Sequence, residues 1–383
     1  LCANKTWTQL TVADLRNNFI TSKGASELSE AELWTELEIL KLGNNAIGER
    51  GALALSKNAT WQKLVELDLE CNAIGDNGTI SLSQSSAWEN LQSINLNSNY
   101  ISDKGATALS RNSVWKKLQQ LELANNSITN TGALELSKNL TCSSLKILNL
   151  SNNLLLEKDA LDLSSGSTWP KLISLNLEKN TIGTEGAIQL SKDKSWIDFQ
   201  ELNLEGNNIG PKGAEKLSKN ICWTKLEVLN LAENAIGNGG IEKISMNTAW
   251  TNLKVLNLAE NLITEQGVES LSHKSSWNSL VRLNLQKNRI GDKGAAILGG
   301  NKNWINLEIL NISYNSIGDL GAEGISRNSS WISLFVLDLK WNRMGRKGLG
   351  NLAKNCTWKK LRELDLTYNY IESKDEGTSL FDN

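Results

Sequence analysis

The chain has 383 residues, with 40 basic and 42 acidic side chains and a formal net charge of -2. Balanced charge gives no basic face for nucleic acid, and no apolar run approaches the roughly 18 residues a membrane span needs. Aromatic usage is inverted, with 14 Trp against 4 Phe and 4 Tyr, so Trp holds a framework position.

The chain opens inside a unit. LCANKTW at 1–7 aligns with LSKNATW at 55–61. Residues 1–6 are therefore expected to be the end of a truncated preceding repeat. From Trp7 the indole recurs at Trp34, Trp61, Trp88 and Trp115, skips once at Cys142, and resumes from Trp169 to Trp358 with a spacing of 27. This gives fourteen units. A fixed period is the mark of a stacked array that forms one elongated body.

Within each unit the elements follow in order. Counting the Trp as offset 0, offsets 6 and 8 are apolar around a polar residue, which predicts a short strand stacked in parallel on its neighbours about 4.8 Å away. Offset 11 is Asn in all fourteen units, from Asn18 to Asn369. Its amide is expected to satisfy backbone groups where the chain turns. Offset 14 is Gly, Ser or Thr in twelve units, which predicts a helix N-cap. Pro211 then falls at a first helical position. Offset 17 is Gly in twelve units, with Asp159 and Asp375 departing. With the small offset 18 and Leu at 21 it predicts a helix lying close against the strand layer. Helices are about 10 Å wide, twice the strand spacing, so the stack should bend with strands inside.

Unit six departs most. Cys142 replaces Trp, Asp159 replaces Gly, and Leu154, Leu155 and Leu156 run together. A cavity of that kind costs roughly 3 kcal/mol if unrepaired, so a local soft spot or a change in curvature is expected there. The last unit breaks register, and residues 372–383 are expected to be a C-terminal cap or a truncation edge.

The string LVELDLECNAIGDNGTISLS at 64–83 resembles the leucine-rich repeat pattern LxxLxLxxNxL. Its helical half resembles the ribonuclease-inhibitor-like class, which includes ribonuclease inhibitor, the sensor regions of NOD-like receptors and the Ran GTPase-activating protein. The resemblance covers about residues 1–377. It implies an α/β fold, a right-handed horseshoe solenoid with parallel strands on the concave face and helices on the convex face, filling 1–383 as one domain. It implies protein binding without naming the partner. The departure is Trp where the family usually carries Leu.

The inner face displays offsets 5, 7, 9 and 10. Offset 7 is Asn or Asp in twelve units, and uniformity argues for a hydrogen-bonded ladder rather than a specific site. Offsets 9 and 10 vary. Glu178, Glu205, Glu233 and Glu260 give units seven to ten an acidic face. Offset 10 then becomes Lys287, Tyr314, Trp341 and Tyr368 in consecutive units, with Tyr370, Lys340, Arg343, Arg282, Arg346 and Arg362 nearby. Exposed aromatic rings with Arg have the composition of a binding hot spot. End-of-array ring packing is the competing explanation.

Catalysis is not expected. The single His, His273, falls at the end of an outer helix, seven units from Cys71, so no Cys–His pair forms. Glu178 and Glu205 should stack about 5 Å apart, as in retaining glycosidases, but on an open face without a pocket. No phosphate loop, metal ligand set or cofactor motif is found. Five cysteines, Cys2, Cys71, Cys142, Cys222 and Cys356, lack metal spacing and are expected to be free thiols. The expected role is a protein-interaction scaffold, acting as a monomer inside the cell, in the cytoplasm or as a bacterial effector delivered to a host cytosol. It could form the recognition region of a longer sensor. A regulator of an enzyme in trans, such as a GTPase activator or nuclease inhibitor, and a structural spacer are the alternatives.

Overall fold

A computed structural model describes residues 6–157, 163, 169–273 and 277–371. Asp159, Asp375, Cys2, residues 1–5 and the expected cap at 372–383 lie outside the described residues. The chain divides into two compact units, Leu1–Leu229 and Asn230–Asn383.

Strand order follows chain order. The first unit carries β1 (Val12–Asp14), β2 (Ile39–Lys41), β3 (Glu66–Asp68), β4 (Ser93–Asn95), β5 (Gln120–Glu122), β6 (Ile147–Asn149), β7 (Ser174–Asn176) and β8 (Glu201–Asn203). β9 (Val228–Asn230) falls at the boundary. The second unit carries β10 (Val255–Asn257), β11 (Arg282–Asn284), β12 (Ile309–Asn311), β13 (Val336–Asp338) and β14 (Glu363–Asp365). Pairing is parallel in a register of one repeat: Leu67 faces Ile94, and Leu337 faces Leu364. Short helices such as Gly48–Ser56 and Gly291–Gly299 follow the strands. This is the α/β solenoid that the periodicity and resemblance implied. The apolar offsets form its core, as Trp61, Leu64, Leu67, Leu69 and Ile74 do, all at most 1% exposed.

The Asn column does what its chemistry allows. Asn99 Oδ1 accepts from the backbone N–H groups of Asn72 and Ile74 at 3.0 and 3.2 Å, one repeat back. Its Nδ2 donates to the carbonyls of Leu69 and Asn97 at 2.9 and 3.0 Å. One side chain thus saturates turns of two successive repeats, which would otherwise be buried and unpaired.

Two expectations about the helices need correction. At Gly51 an added Cβ would lie 2.6 Å from Ile47 Cγ2, 3.0 Å from Ala25 Cβ and 3.2 Å from Ser22 Cα. The close approach that selects Gly is therefore to the preceding helix and to the unit's own Ile, not to the strand layer. Offset 14 is a side-chain N-cap at Ser102 and Thr129. At Gly48, Gly75, Gly183, Gly210, Gly237 and Gly291 the backbone is left-handed and no cap bond forms. There the Gly turns the chain into the helix by its free φ. Part of the capping comes from the preceding helix instead. Asp76 Oδ1 accepts from the N–H groups of Ser102 and Gly105 at 2.8 and 2.9 Å, and Asp319 does the same for Gly345 and Gly348.

A second polar column stands three residues before the Trp. Asn58 Oδ1 accepts from the N–H groups of Thr60 and Trp61, while its Nδ2 donates to the carbonyl of Ser29 at the end of the preceding helix. Asn328 repeats the pattern. Both amides are buried and engaged. Asp193 takes this place in one unit, 2% exposed. Burial pushes its carboxyl above the usual carboxylate range, against the opposing hydrogen bonds from Trp196 and Ser195. A folded value above the unfolded one means that the folded chain holds the proton more tightly. Stability at this site therefore falls as pH rises from the unfolded value near 3.9 through the raised folded value. Asp193→Asn should add about 1 kcal/mol in denaturant melts at pH 7. The gain should vanish near pH 3, and an equal gain at both pH values would show that charge is not the cause.

At unit six the missing Trp is largely repaired. Asn139 caps a short 3-10 turn, Leu140–Cys142, and the walls, Trp115, Leu121, Leu145 and Trp169 among them, leave a cavity of about 10 Å³. Cys142 is buried there, and desolvation raises its thiol to about 11.

Candidate functional site

The site is built by the residue at offset 10, just past each strand. Its N–H donates to the carbonyl at offset 9 of the next repeat, as Tyr314 does to Lys340 at 3.1 Å and Trp341 to Thr367 at 2.9 Å. This arrangement forces a left-handed backbone. Asn17, Asn44, Asn125 and Asn152 have φ of 51–57°, and Gly206 has 66°. Those residue types tolerate that conformation. Cys71, Ser98, Lys179, Glu233 and Glu260 adopt it too, at 50–56°, and so do Lys287, Tyr314, Trp341 and Tyr368, at 50°, 55°, 52° and 58°.

The stacked register then brings the rings face to face. Tyr314 and Trp341 lie 5.1 Å apart between centroids at 15°, and Trp341 and Tyr368 4.0 Å apart at 16°. Lys287 Nζ stands 6.0 Å above Tyr314 and pairs with Glu260 at 2.8 Å. The Glu260 carboxylate raises the lysine's proton affinity. Trp341 remains 42% exposed and Tyr368 67%. Beside the ladder runs a groove of about 350 Å³, lined by the three rings with Ser316, Asn342, Arg343, Asn369 and Tyr370.

Other expected site residues lie apart from this groove. Lys340 turns to Asp338 at 3.1 Å and Asp365 at 4.0 Å. Its hydrogen bond to Asp338 raises its proton affinity. Those two aspartates are thus bridged by a cation rather than left as adjacent like charges. Arg362 stands 6.0 Å from the Phe335 ring. The four glutamates are not one column. Glu178 and Glu205 sit at offset 9 in the first unit, where Glu178 contacts Lys179 at 3.2 Å and accepts from Asn203. Glu233 and Glu260 sit at offset 10 in the second. Offset 7 serves its own repeat and the one before: Asn95 and Asn203 Oδ1 each accept from the N–H two residues on, closing the turn. Their Nδ2 groups donate to Glu70 and Glu178 of the preceding repeat, and Asn149 donates to Glu122, as in the expected hydrogen-bonded ladder. Ser316, Asn342, Asn369 and the left-handed backbone were not anticipated. The recurrence of Asn and Gly at offset 10 was the available signal for the backbone.

Among the described residues, no group of three or more His, Cys, Asp or Glu is placed to hold a metal, and no helix is long and apolar enough to cross a membrane. Cys71, Cys142, Cys222 and Cys356 are free.

A family model described as Leucine Rich repeat matches ten segments: 35–56, 62–83, 89–110, 116–137, 170–191, 198–218, 224–245, 251–272, 278–298 and 305–326. The chain belongs to the leucine-rich repeat family. Among solved structures, this leucine-rich repeat chain is similar to an internalin of Listeria monocytogenes, 21% identical with a TM-score of 0.53, covering 95% of this chain and 82% of that one. A leucine-rich repeat protein of Leptospira interrogans is 22% identical with a TM-score of 0.53, covering 96% and 86%. At this identity the likeness speaks to fold. No curated protein matches the sequence.

Proposed function

We propose that this leucine-rich repeat chain is a non-enzymatic scaffold that binds a partner protein on its strand face, centred on Tyr314, Trp341 and Tyr368. The observation that carries this reading is the conflict at offset 10. Asn or Gly suits a left-handed backbone, and any other residue there, Lys179, Glu233 and Glu260 included, bears a cost of about 1–2 kcal/mol. Three consecutive units carry an aromatic ring instead, two of them left largely exposed. A residue kept against the backbone's preference and displayed to solvent fits selection for contact.

The test uses natural protein fragments displayed on phage and selected on the immobilised chain. Trp341→Ala with Tyr368→Ala should weaken the selected interactions at least about tenfold. Melting temperature should fall by no more than a few degrees, since Trp341 and Tyr368 are 42% and 67% exposed and their truncation opens no buried cavity. Selected partners indifferent to both substitutions would sink the assignment of the site. A collapse of the melting temperature would favour end packing.

A further inference from the structure

The groove beside the ring ladder has a chemistry that narrows its occupant. Its floor is closed, because Asn342 and Asn369 are committed to the backbone. Asn342 Oδ1 accepts from the N–H groups of Asn315 and Ile317, and its Nδ2 donates to the carbonyls of Ile312 and Leu339. The rest of the lining combines the rings of Tyr314, Trp341, Tyr368 and Tyr370 with Ser316 and Arg343. Among the described residues Arg343 is the one charged group lining the groove, and its guanidinium has no ion-pair partner. The adjacent carboxylates of Asp338 and Asp365 are taken by Lys340. An unpaired guanidinium next to exposed rings presents two complementary surfaces, an apolar wall and a planar two-pronged donor suited to a carboxylate.

Length sets a second limit. From Tyr314 to Tyr368 the groove crosses three repeats, about 10 Å at the strand spacing, which is the reach of roughly three extended residues. A short extended segment matches that length.

We infer that the groove takes an extended acidic segment of a partner protein, with an apolar side chain laid along Trp341 and Tyr368 and an adjacent Asp or Glu paired with Arg343. This rests on the ladder being the binding surface, and it adds the charge and form of what binds.

Two fluorescein-labelled octapeptide pools test it against the full chain by anisotropy. Both hold Leu, Phe or Tyr at the fourth position in a Gly/Ser background. One has Glu at the fifth position and the other has Gln. The Glu pool should bind about tenfold tighter than the Gln pool. Arg343→Ala should erase that difference, Arg343→Lys should restore only part of it, and Trp341→Ala should weaken both pools. Raising salt should weaken the Glu pool alone. Arg343 is exposed, so an unchanged melting temperature will confirm that its variants are folded. Equal binding of the two pools, sensitive to Trp341→Ala, would overturn the acidic occupant and leave the ladder as the binding surface. Binding of neither pool would overturn the extended segment, while the fragment selection above still decides the ladder.

Discussion

Replacing Asn126 with Leu should cost about 4 kcal/mol, although Leu is similar in volume and more apolar. Asn126 Oδ1 accepts from the N–H groups of Asn99 and Ile101 at 3.0 and 2.9 Å. Its Nδ2 donates to the carbonyls of Leu96, Leu123 and Ala124 at 3.1, 3.0 and 3.1 Å. The side chain is 9% exposed, so water cannot replace it freely. Each stranded group costs about 1–3 kcal/mol, and relaxation recovers part of the sum. The control is Asn18 in the first unit. It is exposed and bonds only locally, to the carbonyls of Leu15 and Arg16, so Asn18→Leu should cost under about 0.5 kcal/mol. Native-state hydrogen exchange localises the effect. The amides of Asn99 and Ile101 should lose protection in Asn126→Leu while distant repeats keep theirs, because stability in an array is carried by neighbours. Equal costs at both positions would mean that the column is a relic of duplication and not the element that closes the turns.

The contrast between those two residues marks what periodicity reveals. Asn18 and Asn126 are the same letter at the same offset, and the sequence assigns both to one turn. Only the stack distinguishes them, because the bonds of Asn126 reach into the preceding repeat. The strands, the Trp and Asn columns and the cluster at Tyr314, Trp341 and Tyr368 were all legible, since columns follow directly from the spacing of 27. What spacing hides is direction. Lys340 and Arg343 look alike as basic neighbours of Trp341, yet one is spent on Asp338 and the other lines the groove. Glu178 and Glu260 looked like one acidic face, but a one-residue difference in offset places the first beside the strand register and the second in the left-handed column. The helix entries were misjudged for a related reason. Gly and Ser share a column at offset 14, but Gly turns the chain by its backbone where Ser acts by its hydroxyl, and the carboxylate that assists Ser102 comes from Asp76 a repeat earlier.

Trp331→Ala should cost about 4 kcal/mol and Trp331→Phe no more than about 1.5 kcal/mol, a gap wider than ring volume alone explains. The Trp331 side chain is fully buried and stacks on Trp358 at 6.4 Å. Its truncation therefore removes a large packed surface and leaves a cavity between repeats. However, its indole Nε1 has no hydrogen-bond partner, and the same holds for Trp250, Trp277 and Trp304 in the three preceding repeats. A buried N–H without a partner costs about 1–3 kcal/mol. Phe gives up some volume but removes that donor, so the two changes partly cancel. The framework Trp is thus selected for bulk, and its polar atom works against it. Cys142 supplies the natural counterpart. There the large side chain is already gone and the residual cavity is small, so Cys142→Ala should cost only about 1 kcal/mol. Denaturant melts of the three variants would decide the matter. If Trp331→Phe proves as damaging as Trp331→Ala, the indole N–H must be satisfied in solution, and the column would owe its persistence to a hydrogen bond rather than to volume.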